Sequence, residues 1–279
     1  KALSGVYSRA DLADGFRALG VRPGDVVFLH ASVRAVGPVA GGPDQVHLAL
    51  EDALTDDGTL VMYPSCPDGY DDIGRGVLSP DDEFHLRTQL PPFDAATARS
   101  ARDNGALVEL FRTWPGTVVN DHVARFAARG AEAAHLFSEQ PWDYAYGAGS
   151  ALERFAWLGG RILLLGSDHD QVTFLHYAEH VADFPGKRVV RYRVPVLEDG
   201  VRVLRDCAEF DTSVGAHAHW PDRFFARIVD AHLARTENAG GRVGDAESFL
   251  IEARPLLVFA LEVMTAVAHD RDAADRLLG

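Results

Sequence analysis

Short apolar runs bounded by turn residues alternate along this chain with stretches whose apolar positions recur at helical spacing. The first pattern suits buried strands and the second amphipathic helices, so the chain reads as α and β elements in alternation. Ser8 ahead of Leu12, Phe16 and Leu19, with Gly20 after them, has the cap, the stripe and the stop of a first helix. Val26 to Leu29 follows as a strand, and the segment from His30, through Gly37, Gly41 and Gly42, turns into a helix that starts at Pro43 and covers Gln45 to Leu54. Asp56-Asp57-Gly58 marks a turn before a strand over Leu60 to Pro64 that runs out at Ser65 and Cys66. From Pro67 to about Asn104 the periodicity is lost among Asp, Gly and Pro residues, and loops of such length inside compact domains usually carry function. Helices are predicted over Ala106 to Trp114, near Ala131 to Phe137 and over Gly149 to Leu158, with Val118 to Arg129 as strand or loop. Arg188 to Leu197 and Val201 to Asp206 alternate about Glu198-Asp199-Gly200, which predicts an antiparallel hairpin extending the sheet. Asp222 to Arg235 and Leu256 to Ala266 read as closing helices. The expected fold class is α/β, a layered α/β/α arrangement with a central mixed sheet and a hairpin extension, formed by residues 1–279 as a single domain.

The chain is organised around Gly159 to His180. An apolar run, Ile162 to Leu165, ends at Gly166, and a polar turn through Asp168 and Asp170 leads into a helix with apolar positions at Val172, Leu175 and Val181. Thr173, His176, Glu179 and His180 stand three or four apart, so the pattern puts them on one helix face just beyond the strand's C-terminal end, where open α/β sheets place ligands. Two chemistries fit that face. His176 can act as a general base held in one tautomer by Glu179, with Thr173 as a further hydrogen-bond partner. Alternatively, His176-x-x-Glu179-His180 has the spacing of inverted zinc proteases, with two histidine ligands and a glutamate base. A polar face that only caps the sheet is the plainest reading, in which Asp168 and Asp170 cap the helix.

Composition narrows the partners. A chain of 279 residues, 47% hydrophobic, can bury a large core, and its net charge of −14 argues against nucleic acid or an anionic membrane while welcoming a cationic small molecule. Two cysteines, Cys66 and Cys207, make no disulfide framework and fit a reducing cytoplasm. No signal peptide or membrane-length apolar run is evident, so a cytoplasmic protein is expected. The glycine-containing turn after His30 can aim backbone N–H groups at an anion, although it lacks the lysine and the spacing of a Walker loop. The acidic segment with Asp68, Tyr70, Asp71 and Asp72 is expected to wall a pocket for a polyamine.

Several of these pieces, in this order, resemble the aminoglycoside 3-N-acetyltransferase family, which is unrelated to the GNAT fold. They are Leu29-His30-Ala31-Ser32-Val33-Arg34-Ala35-Val36-Gly37-Pro38 with Gly41-Gly42; Pro91-Pro92-Phe93-Asp94; Phe111-Arg112 to Pro115-Gly116; and Phe126-Ala127-Ala128 with Gly130. Leu163-Leu164-Leu165-Gly166, Val172-Thr173 with Leu175-His176-Tyr177-Ala178-Glu179, Gly186-Lys187-Arg188 and Val243-Gly244-Asp245-Ala246 continue the series. The resemblance implies metal-free transfer of acetyl from acetyl-CoA to the 3-amino group of a 2-deoxystreptamine aminoglycoside. It implies His176, Glu179 and Thr173 as catalytic residues. CoA would meet His30, Ser32, Val33, Arg34 and Gly37, with His122, and the drug's ammonium groups would meet Asp68, Tyr70, Glu209 and Asp211. The oligomeric state, monomer or homodimer, is left open.

One segment departs from the family pattern. Where family members usually carry Arg-Ser-x-His-Pro-Asp, this chain has Val119-Asn120-Asp121-His122-Val123-Ala124, so the resemblance does not carry over the local pocket shape or the drug range. His30 and His122 can each be a site residue or a structural hydrogen-bonder. Cys66, after a strand, could carry acetyl as a thioester or simply pack as a small apolar side chain. A non-enzymatic binder of cationic sugars would need the acidic pocket but neither the base nor the CoA loop.

Overall fold

Apolar residues at every successive position, as in Val26-Val27-Phe28-Leu29 and Ile162-Leu163-Leu164-Leu165, suit strands covered on both faces. The computed structural model, which describes residues 5–279, puts both segments in the middle of a seven-stranded sheet. In chain order the elements are α1 (Arg9–Leu19), β1 (Val26–Ala31), α2 (Val33–Val36), α3 (Asp44–Leu54), β2 (Thr59–Met62), α4 (Pro80–Gln89), α5 (Ala106–Arg112), β3 (Val118–Val119), β4 (Ala127–Gly130), α6 (Ala133–Leu136), α7 (Ala151–Trp157) and β5 (Arg161–Leu165). There follow α8 (Leu175–Val181), β6 (Val189–Glu198), β7 (Val201–Phe210), α9 (Phe224–Arg235), β8 (Gly241–Val243), β9 (Ala246–Glu252), α10 (Ala253–His269) and α11 (Ala273–Leu278).

The strand order is β3-β4-β2-β1-β5-β9-β8, parallel for β2, β1 and β5 and antiparallel at both flanks. Alternation along the strands divides the core. Val26, Phe28, Ile162 and Leu164 point into a layer with Phe155, Phe174, Val229, Leu256 and Val263, while Val27, Leu29, Leu163 and Leu165 meet Leu12, Phe16, Leu50 and Phe111 on the other face. The layered α/β/α arrangement follows. The first helix carries its capping box, with Ser8 and Asp11 bonded reciprocally, and ends at Gly20.

The hairpin forms with a two-residue turn at Asp199-Gly200, but β6 and β7 make a sheet of their own. The antiparallel strands that widen the central sheet are instead β9 and β8 on one side and β4 and β3 on the other. The reason lies in what the hairpin covers. Tyr192, Val194, Val196 and Cys207 bury against Cys66, Tyr70, Phe93, Ala95 and Val123, a third core that clamps the long acidic segment in place. That segment also holds α4, in which Ser79 accepts a hydrogen bond from the Asp82 amide and Pro80 opens the first turn. No residue of α4 is buried, so it leaves no apolar stripe in the sequence.

Candidate active site

Because β1 and β5 run parallel with His30 beside Leu164 and Ala31 beside Leu165, their C-terminal ends deliver two loops to one edge of the sheet. A cleft of about 570 Å³ opens there, lined by residues 29–34, Asn104 with the start of α5, and Gly166, Ser167 and Asp168. A second compartment of about 560 Å³ adjoins it and is lined by His176, Glu179, residues 212–215 and residues 220–225. Tyr63, Asn104, Gln171 and Thr173 line both. A smaller recess of about 200 Å³, walled by Cys66, Asp71, Arg75, Tyr146, Tyr192, Glu209 and Thr212, meets the second compartment at His176. Tyr63 borders all three spaces.

His176 Nδ1 lies 2.8 Å from Glu179 Oε2, and Glu179 Oε1 accepts from the Ala216 amide at 3.1 Å and from Trp220 Nε1 at 2.8 Å. The carboxylate is 1% exposed, and three donors satisfy it. A carboxylate only accepts, so in the neutral ring Nδ1 carries the hydrogen and Nε2, which has no protein hydrogen-bond partner, keeps its lone pair. Tyr146 and Phe225 flank the ring, with centroids 5.2 and 4.9 Å away. The helix is shorter than its sequence pattern suggested. His169–Gln171 is a 3₁₀ turn, and the amides of Leu175, His176 and Tyr177 bond three residues back, so Thr173 lies in the turn ahead of α8.

His180 does not share the His176 face. Its Nδ1 is 2.6 Å from the His176 carbonyl oxygen, and its Nε2 is bonded to Glu209. With both nitrogens engaged and the ring buried, the H-x-x-E-H spacing does not present a pair of zinc ligands. Among the described residues no three His, Cys, Asp or Glu side chains are grouped to hold a metal ion. Glu209, expected to meet the drug, is 2% exposed and also accepts from the Ala145 and Phe210 amides, so it anchors α8 to β7 and only borders the recess.

The other expected residues divide the same way. His30, Ser32, Val33 and Arg34 line the first compartment. Burial pushes the His30 imidazole down to about 3, so it is neutral, and its ring lies against Phe28. Gly37 does not line it. With φ +88° it sits beneath Asp245, whose Oδ2 would be 2.6 Å from any Cβ there, so this glycine shapes the loop from behind. Asp68 is exposed away from the compartments, Tyr70 is buried with its ring 5.1 Å from Phe93, and Asp211 caps a local turn through Ser213. Besides Glu179 and Glu209, the carboxylates that line the second compartment and the recess are Asp170, Asp222 and Asp71. Asp168 and Asp170 also serve as caps, accepting from the Asp170 and Ala226 amides.

His122 is wholly buried, donates from Nε2 to the Trp142 carbonyl and accepts at Nδ1 from the Ala124 amide, and lines none of the three spaces. Both ring nitrogens are spent on backbone, the arrangement of a structural hydrogen-bonder. Burial lowers it from 6.5 to about 4. Between those values the unfolded chain binds the proton more readily, so the contribution is complete above pH 6.5 and is lost as the pH falls toward 4, at a cost of about 3 kcal/mol. Thermal melts of wild type and His122→Asn from pH 7 to 4.5 should show a steeper acid loss in wild type; parallel curves would remove His122 from the acid response. Cys66 is 7% exposed, with burial and neighbouring Asp71 raising its thiol well above the usual range, so it is held protonated and poorly suited to carry acetyl.

Sequence reasoning missed several wall residues. Tyr63 and Tyr146 bond through their hydroxyls, Asn104 donates to the Tyr63 carbonyl at 2.9 Å, and Trp220 holds Glu179. None carries a local signal, because each acquires its role from a distant partner.

A histidine–carboxylate pair in a compartment that adjoins a second of similar size, on an α/β/α sandwich, is the layout of a two-substrate transferase. The chain belongs to the aminoglycoside 3-N-acetyltransferase family, whose model matches residues 28–265. It is an aminoglycoside N(3)-acetyltransferase, an enzyme that inactivates these antibiotics. It is 40% identical to aminoglycoside N(3)-acetyltransferase III of Pseudomonas aeruginosa, over 92% of this chain and 93% of the relative. Among solved structures it resembles AAC-IIIb in a binary complex with CoASH (TM-score 0.87, 36% identity, 94% of this chain and 97% of that one). It also resembles AAC-VIa bound to sisomicin (TM-score 0.86, 38% identity, 93% and 98%).

Proposed function

We propose that acetyl-CoA occupies the first compartment and a 2-deoxystreptamine aminoglycoside the second, and that His176 is the general base for direct acetyl transfer between them. The observation that carries this is the His176–Glu179 pair, which leaves Nε2 without a protein partner on a histidine that lines the second compartment, next to the first. An ammonium has no lone pair with which to attack a thioester. His176 Nε2 takes a proton from the 3-ammonium group, the amine nitrogen attacks the thioester carbonyl, and the carbon–sulfur bond breaks as CoA leaves. The imidazolium gives that proton to the departing sulfur, and the freed base takes the second proton, which the nitrogen sheds as the amide forms, and passes it to solvent, so the net products are the N-acetylated drug, CoA thiol and one released proton. Thr173, bordering both compartments, is the hydrogen-bond partner at the reacting centre.

The known complexes of relatives support the two ligand classes: one with CoASH, another with sisomicin. Asp71, Asp170 and Asp222 offer anionic walls for the drug's other ammonium groups, in a chain of net charge −14. Ser32 and Arg34 stand where the CoA phosphates and pantetheine would pass, and Arg34 is exposed at that mouth. Arg34→Ala should therefore raise the apparent KM for acetyl-CoA about tenfold and leave the drug KM nearly unchanged. A change confined to the drug KM would reassign the compartment.

The proposed reaction requires no metal, since His180 is committed to Glu209 and the base is the free His176 nitrogen. Turnover should persist in excess chelator. Loss on chelation with recovery on adding zinc would overturn that part of the reading. No helix among the described residues is long and apolar enough to cross a membrane, and action in the cytoplasm, where acetyl-CoA is available, is part of the proposal.

A further inference from the structure

Gly186-Lys187-Arg188 lies outside all three spaces, yet it connects the catalytic helix to the loop that walls the second one. Lys187 Nζ donates to the His180 carbonyl at 2.6 Å, at the end of α8. The Arg188 guanidinium spends its donors on backbone, with Nη2 2.7 Å from the Val214 carbonyl oxygen and 2.8 Å from that of Gly215, while Nε reaches the latter at 3.2 Å. Its own amide donates to Ala216 O, and its carbonyl accepts from the Asp211 amide. Among the described residues it pairs with no carboxylate, although the protein carries an excess of them.

The clamped segment has two duties. Residues 212–215 line the second compartment, and the next positions supply both neutral donors to Glu179, the Ala216 amide and Trp220 Nε1. Gly215 has φ +84°, and a side chain there would collide with the Trp220 indole, so the turn Arg188 grips is also the seat of that donor. We infer that Arg188 is a positioning residue that couples the drug-facing loop to the orientation of Glu179, and through it to His176. The inference rests on His176 being the base. A guanidinium forked onto two carbonyls fixes both the place and the direction of the Ala216 N–H, which a lysine, as a point donor, does not.

The test is a double-mutant cycle on the full chain, with kcat, both KM values and the melting temperature measured for Arg188→Ala, His176→Ala and the pair. Arg188→Ala alone should lower kcat about tenfold and raise the drug KM, with the acetyl-CoA KM changing less than about twofold. In the His176→Ala background it should lower kcat no further, because the group it positions is gone. An equal kcat loss in both backgrounds, or parallel rises in both KM values, would overturn the inference. Trp220→Phe keeps the ring against Phe184 and Phe224 while removing one Glu179 donor, so it should fold normally with reduced kcat, and unchanged kcat would count against the inference even if Arg188→Ala fails to fold. Ordinary turnover of His176→Ala by itself would instead sink the general-base reading.

Discussion

His176→Ala should lower kcat by about 10²–10⁴-fold, the usual worth of a positioned general base, while the protein stays folded. The ring is 21% exposed between Tyr146 and Phe225, and Glu179 keeps its Ala216 and Trp220 donors when the imidazole is removed, so the loss is local and the fold survives it. Activity should recover in part at high pH, where more of the drug's amine is already deprotonated and the base is needed less. Glu179→Gln should be nearly as damaging, for a reason the hydrogen bonds supply. Oε1 of residue 179 must go on accepting from Ala216 and Trp220, which turns the new NH₂ group toward His176 Nδ1. Two donors cannot face each other, so the imidazole adopts the other tautomer and loses its lone pair at Nε2. Melting temperatures and pH–rate profiles for both variants check this; a stable His176→Ala enzyme with ordinary turnover would take His176 out of the mechanism.

Arg125→Met should destabilise the fold by about 3–5 kcal/mol, the scale of a broken buried charged network. Arg125 is wholly buried and donates to four backbone carbonyls, those of Ser65, Ala95, Ala98 and Arg99, with the Phe93 ring 5.7 Å from its guanidinium. Burial pushes it down to about 10, so it still carries its charge at neutral pH. It fastens the loop at residues 95–99 to the end of β2, next to the recess walled by Cys66 and Asp71. Methionine fills the space but leaves those carbonyls without their donor. The melting temperature should fall by about 6–10 °C, given roughly 2 °C per kcal/mol at this chain length. An unchanged melting temperature would mean that the loop does not depend on this clamp.

Local patterns in the sequence are enough to show the central strands, the hairpin turn and the His176–Glu179 pair. Continuous apolar runs at residues 26–29 and 162–165 have one good use, and a spacing of three on a helix brings two side chains together. Long-range partners are where that reading stopped. Glu209 carries no mark in the sequence that it will be consumed by His180, nor Tyr70 that Phe93 and the hairpin will bury it, so both were expected in the drug site. β9 pairs directly with β5, yet Ala246–Glu252 runs into a helix without a break, so no turn residue marks it as a strand. Arg125 stands in a short irregular stretch where charge suggests exposure; only the fold supplies the four carbonyls that bury it. For α4 the signal was present but of another kind: Ser79-Pro80 with Asp82 and Glu83 is a helix start that can be read from caps rather than periodicity.

The central claim is drug-dependent transfer of acetyl from CoA to a single nitrogen. The most direct measurement mixes purified enzyme, acetyl-CoA and a 2-deoxystreptamine aminoglycoside, follows the free CoA thiol, and locates the acetyl group on the product by NMR. Thiol release is expected only when drug is present, one equivalent per drug molecule, with the acetyl group on the 3-amino nitrogen. Thiol release that ignores the drug, or acetyl found on another amine or on the protein, would contradict it.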